Sequence, residues 1–88
     1  MISRQNNTLL VNGEITFENV RLLLDESAPF LSNGCDTVDF SGVVSTDSSA
    51  VSLAFEWQRR VGSPLRFIGL PESMLSLLQL YGVSDLFH

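Results

Sequence analysis

The chain has 88 residues, of which 44% are hydrophobic and 17% charged, and its formal net charge is -5. This length suits one domain over residues 1–88, and there are too few charges for a disordered chain. The five arginines are scattered, so the sequence lacks the positive patch that nucleic acid or an anionic membrane surface requires.

Several classes of protein are disfavoured by what the sequence lacks. No signal peptide or transmembrane run is visible, so we expect a cytoplasmic protein. Cys35 is the only cysteine and His88 the only histidine, which gives almost no basis for a metal site or a Ser-His-Asp triad. No glycine-rich phosphate-binding loop occurs. We therefore expect no enzyme activity, no metal and no cofactor.

The first part of the chain predicts a β-hairpin followed by a helix. Residues 2–4 and 8–11 flank a turn at 5–7, whose asparagines tolerate left-handed geometry. Thr16 is a candidate N-cap, because helical spacing of apolar residues begins after it and places Phe17 on a buried stripe. Pro29 is expected to kink or end this helix.

The remainder predicts two further strands, each followed by a helix. Residues 37–43 alternate as in a half-buried strand that Gly42 weakens at its end, and a helix runs from Asp47 to about Val61. A buried strand at 65–70 precedes a third helix, with Pro71 in its first turn. The apolar face of that helix consists of Met74, Leu77, Leu78 and Tyr81. Gly82 is its candidate C-terminal cap. The order predicts an α/β domain with a small mixed sheet and helices mostly on one face.

The segment 39–50, DFSGVVSTDSSA, combines a strand, a loop of small residues and an Asp-Ser-Ser helix start. It resembles the signature of STAS domains, in which a D-[LF]-S-x-V strand end is followed by a loop with an Asp-Ser or Asp-Thr pair. Residues 13–15 match the G-E-[LI] turn of that family, and residues 80–83 match the pair that closes its third helix. The resemblance covers essentially the whole chain. Within the family, the sequence is most similar to MlaB-like members. Ala50 departs from it, since the family commonly has glycine there.

An MlaB-like resemblance implies a non-enzymatic cytoplasmic subunit. It would bind the ATPase of an ABC transporter that moves phospholipids to maintain outer-membrane lipid asymmetry, and would reach the inner membrane only through that partner. In the related anti-sigma factor antagonists, the partner is a serine kinase and the hydroxyl residue after the loop aspartate is phosphorylated. The matching residue here is Ser48.

Helix physics supports part of this interpretation. Asp47 can cap the second helix, and Ser48 would lie in its first turn, where the helix dipole favours a phosphate. The simpler alternative is that residues 47–49 are only a preferred helix start.

Helical spacing turns one face of the second helix toward the sheet, at Ala50, Leu53, Ala54, Trp57 and Val61. Beside this face lies a candidate partner interface, consisting of Asp47, Ser48, Ser49, Val51, Ser52, Phe55 and Arg59. Alternatively, a neighbouring helix covers Val51 and Phe55 as ordinary core. Full burial of Phe55 would remove it from the interface.

Overall fold

Within residues 2–80, the protein has one mixed four-stranded sheet and three helices. The computed structural model describes residues 2–80, in the order β1 (Ile2–Gln5), β2 (Thr8–Ile15), α1 (Val20–Ser32), β3 (Thr37–Thr46), α2 (Ser49–Val61), β4 (Arg66–Ile68) and α3 (Glu72–Leu80). The strand order in the sheet is β1-β2-β3-β4, with β1 antiparallel to β2 and the other neighbours parallel. The predicted α/β class and mixed sheet are confirmed.

The predicted hairpin is present, but its second strand is longer than expected. Asn6 adopts a left-handed conformation, with φ 56°, in the two-residue turn. Strand β2 then continues through Asn12 and Gly13 to Ile15, and the pairing with β3 shifts register on both sides of these two residues. Gly13 has φ 90°, which a side chain would disfavour. These irregularities allow the strand to continue where the sequence suggested a turn.

Helix α1 begins later than predicted, and its N-cap is Asn19 rather than Thr16. The carbonyl of Thr16 accepts hydrogen bonds from the N–H groups of Asn19 and Val20, at 3.1 and 2.9 Å, so a turn precedes the helix. Phe17 lies in this turn with 71% of its surface exposed. The prediction that it lies on the buried stripe of the helix was therefore wrong. The helix also does not end at Pro29 but continues to Ser32.

Strand β3 extends three residues beyond its predicted end, through Gly42. A Cβ atom at residue 42 would overlap with Oδ1 of Asn12 and would lie 3.2 Å from the carbonyl oxygen of Val11. Gly42 therefore permits the close approach of β3 to β2 rather than weakening the strand.

The second and third helices follow their predictions closely. Helix α2 ends at Val61, and Gly62 caps it with φ 79°. Strand β4 is shorter than predicted, and Pro71 directly precedes α3. Met74 and Leu78 of α3 are buried, whereas the predicted roles of Tyr81 and Gly82 lie outside the described residues.

The core lies between the helices and one face of the sheet. Phe40 of β3 is at its centre, with ring centroids 6.0 Å from Trp57 and 6.1 Å from Phe67. The predicted sheet-facing side of α2 is confirmed, since its first four members are buried and Val61 is half-buried. Alternate strand residues such as Asn12 and Arg66 are exposed, so the helices cover one face of the sheet and leave the other open.

Candidate functional site

The ends of three parallel strands and the beginnings of three helices meet at one edge of the sheet, which we call the carboxyl edge. It contains the end of β2 with the loop at 16–19, the end of β3 with Asp47 and Ser48, and the turn before α3. The N–H of Asp47 donates to the carbonyl of Ile15 at 3.2 Å. The hydroxyls of Thr46 and Ser73 lie 2.6 Å apart in a hydrogen bond. These bonds connect neighbouring loops into one surface.

Asp47 is the central polar residue of this edge. Its Oδ1 accepts hydrogen bonds from the N–H of Ser49, at 2.8 Å, and from the Ser49 hydroxyl, while its Oδ2 accepts the N–H of Phe17 at 3.2 Å. The Ser49 hydroxyl is the largest cause that holds the pKa of Asp47 below its ordinary value. Asp47 therefore caps the start of α2, as predicted, and also joins it to the β2–α1 loop.

The β2–α1 loop is closed by Asn19, which the sequence analysis did not single out. Its Oδ1 accepts the N–H of Thr16 at 2.9 Å, and its Nδ2 donates to the carbonyl of Glu14 at 2.8 Å. Asparagine is a preferred residue directly before a helix, and Asn19 directly precedes the apolar run that begins at Val20. This position could have predicted Asn19 as the N-cap. The two side-chain bonds fix the loop that presents Phe17.

Four of the predicted interface residues form a stripe along α2. Ser48, Ser52, Phe55 and Arg59 are spaced by four, three and four residues, which places them on the same side of a helix. Ser52 and Arg59 are exposed, Ser48 is half-buried, and Phe55 is 37% exposed. Because Phe55 is not fully buried, it stays a candidate interface residue. We call these four residues the α2 stripe.

Two other predicted interface residues are buried. Ser49 is 2% exposed and directs its hydroxyl to Asp47, and Val51 is 3% exposed and belongs to the hydrophobic core. Val51 is therefore an ordinary core residue, as the alternative interpretation predicted. Neither Ser49 nor Val51 contributes its side chain to the exposed surface. The side chain of Ser48 makes no capping hydrogen bond, because Asp47 performs that function.

The far end of the α2 stripe carries an ion-pair cluster. Glu56 accepts hydrogen bonds from Arg59 and from Arg60, whose Nε lies 2.9 Å from Oε2 of Glu56. The bonds from Arg59 and then Arg60 lower the pKa of Glu56, and Glu56 raises the pKa of Arg59. Such exposed pairs contribute little to stability. Their main effect here is to neutralise part of the positive charge at this end of α2.

Within residues 2–80, no cluster of three or more His, Cys, Asp or Glu side chains could hold a metal ion. A cavity of about 370 Å³ lies between the ends of α1 and α2, and it is lined by Ala28, Leu31, Ser32, Arg60 and Val61. None of the helices in the described part of the chain is long and apolar enough to cross a membrane.

A mixed four-stranded sheet with an Asp-Ser-Ser helix start at its carboxyl edge is the architecture of a STAS-like domain. The family model described as "Mlab, STAS domain" matches residues 1–88. The chain therefore belongs to the MlaB-type STAS domain family. STAS domains are generally non-catalytic. A comparison with curated proteins found no match.

Proposed function

We propose that this protein is a non-enzymatic cytoplasmic subunit that docks on the ATPase of an ABC transporter for phospholipids, in a system that maintains outer-membrane lipid asymmetry. Membership of the MlaB-type family supports the class of partner. The protein reaches the inner membrane through this partner.

The α2 stripe is the observation on which the docking proposal depends. A two-turn helical face carries Ser48, Ser52 and Phe55 beside the carboxyl edge. Aromatic side chains are enriched at protein interfaces, and the short serine side chains leave room for a partner beside Phe55. The opposite side of the same helix is buried and packs on the sheet through Trp57, which holds the stripe in place. The docking face is thus part of a rigid element.

Docking regulates the ATPase by differential binding. If the stripe packs against a helical region that differs between two conformations of the nucleotide-hydrolysing dimer, binding shifts the dimer toward the conformation with the better contact. The protein then influences transport without contributing a catalytic group.

The test is quantitative binding of the purified chain to the purified ATPase, with Phe55→Ala and Ser48→Trp as variants. Each is expected to weaken binding by about tenfold or more, the first by removing an anchor and the second by adding bulk without charge. Ile68→Ala is the matched control, because Ile68 is also 37% exposed but lies on the open face of the sheet. Unchanged affinity in both α2 variants, with native thermal stability, would exclude this surface.

A second function is favoured by one observation, the Ser48 hydroxyl that makes no capping bond. It lies at the N-terminus of α2, where the helix dipole stabilises added negative charge. The protein would then be an anti-sigma factor antagonist that a serine kinase switches by phosphorylating Ser48. Mass spectrometry of the protein from its own cells, across growth conditions, tests this function. Peptides that contain Ser48 only in unmodified form would rule it out.

A further inference from the structure

Phe17 has a large apolar side chain that is exposed to solvent, in a loop whose backbone is fixed by hydrogen bonds. It is 71% exposed, and its N–H donates to the carboxylate of Asp47. The loop that carries it is closed by both side-chain bonds of Asn19. Because these bonds hold the backbone of the loop, Phe17 loses little backbone freedom on binding, and its ring can bury a large apolar area, which is the usual character of an interface anchor.

The surroundings of Phe17 are acidic. Among the residues that the structure describes, the carboxyl edge carries Glu14, Glu18, Asp47 and Glu72, against a single arginine, Arg21. These groups leave three net negative charges, and three helix N-termini of about +0.5 each offset only about half of them. The other four arginines lie toward the opposite edge of the sheet, at the β1–β2 hairpin, the end of α2 and the start of β4: Arg4, Arg59, Arg60 and Arg66. Glu56 and Asp36 offset part of this positive charge, but they leave that edge less acidic than the carboxyl edge. The domain is therefore electrically polarised along its strands.

This polarity limits what can cover Phe17. A second copy of the same edge would bring two acidic surfaces together, and an anionic lipid surface would be repelled in the same way. A protein surface with an apolar pocket and a rim of lysine or arginine side chains complements both the aromatic side chain and the charge.

We propose that Phe17 is the anchor of a second contact between this protein and its ATPase partner, inserted into an apolar pocket with a basic rim. The contact rests on the proposed docking function and extends the docking face from the α2 stripe across the carboxyl edge. Asp47 joins the two parts, because one carboxylate binds the start of α2 and the N–H of Phe17. The acidic rim steers association, and Phe17 slows dissociation.

The experiment measures the affinity and the association and dissociation rates of the full chain with the purified ATPase, from about 0.05 to about 0.5 M NaCl. Phe17→Ala is expected to weaken binding about tenfold or more, mainly through faster dissociation. Leu80→Ala is the matched control, since Leu80 is 77% exposed at the C-terminal end of α3, the end away from the carboxyl edge. The affinity of this variant should stay within about twofold of the wild type.

The charge component is tested with Glu18→Gln and its control Glu26→Gln, which removes an exposed carboxylate farther along α1. Association of the wild type should slow as salt rises, and Glu18→Gln should reduce this dependence while Glu26→Gln does not.

Wild-type affinity for Phe17→Ala, or an association rate that does not fall with salt, would overturn the proposed contact while leaving docking through α2 intact. Absence of wild-type binding to the ATPase would overturn the docking function and this contact together.

Discussion

Replacement of Ser27 by alanine tests the one hydrogen bond in the described structure that joins two completely buried side chains. The indole N–H of Trp57 donates to the Ser27 hydroxyl at 2.7 Å, and that hydroxyl donates to the carbonyl of Leu24 at 3.0 Å. Both Trp57 and Ser27 are 0% exposed. In Ser27→Ala, water cannot readily replace the lost acceptor, so the indole N–H is left unpaired.

The expected loss follows from opposing effects. An unsatisfied buried donor costs about 1–3 kcal/mol. Alanine recovers about 0.5 kcal/mol through its higher helix propensity. A net loss of about 1.5 kcal/mol in the free energy of unfolding would lower the Tm by roughly 6–12 °C in a domain of this size.

Urea denaturation followed by fluorescence measures this loss directly, because Trp57 is the only tryptophan in the chain. Ser76→Ala is the control, since Ser76 is an exposed helical serine and its replacement should be neutral or slightly stabilising. The double variant Ser27→Ala/Trp57→Phe removes both hydrogen-bonding groups, and it should lose less than the two single variants together. A Ser27→Ala protein as stable as the wild type would refute the importance of this bond.

Two further substitutions test the sheet and the carboxyl edge. Gly42→Ala should lower the free energy of unfolding by about 1–3 kcal/mol through its clash with Asn12, and Gly42→Ala/Asn12→Ala should recover part of the loss in urea titrations. Equal losses in the two proteins would contradict the clash. Asp47→Asn should destabilise the protein at pH 7, because the folded state lowers the pKa of Asp47 by hydrogen bonds from Ser49 and Phe17. This contribution is present above the unfolded pKa and disappears as the pH falls through the folded pKa. The urea midpoints of wild type and Asp47→Asn should therefore converge below about pH 4, and a constant difference would argue against the carboxylate as its origin.

Local sequence patterns were sufficient for much of the fold. Alternation at Val38 and Phe40 predicted a strand, and the spacing of Ala50, Leu53 and Trp57 predicted which side of α2 faces the core. Both patterns result from burial on one face of a regular element, so they can be read without knowing the partner element. The cap at Asp47 and the stop at Gly62 are also local, because each depends on residues adjacent in the chain.

Contacts between distant residues decided the rest. Phe17 fits a helical stripe by spacing, but Thr16, Asn19 and the Asp47 carboxylate, thirty residues later, hold it in an exposed turn. Val51 and Phe55 have similar sequence environments, yet packing buries Val51 and leaves Phe55 partly exposed. Period and propensity report the average preference of a segment for burial or turn geometry. Which side chain reaches solvent is determined by the elements packed beside it, and those contacts are set only when the chain has folded.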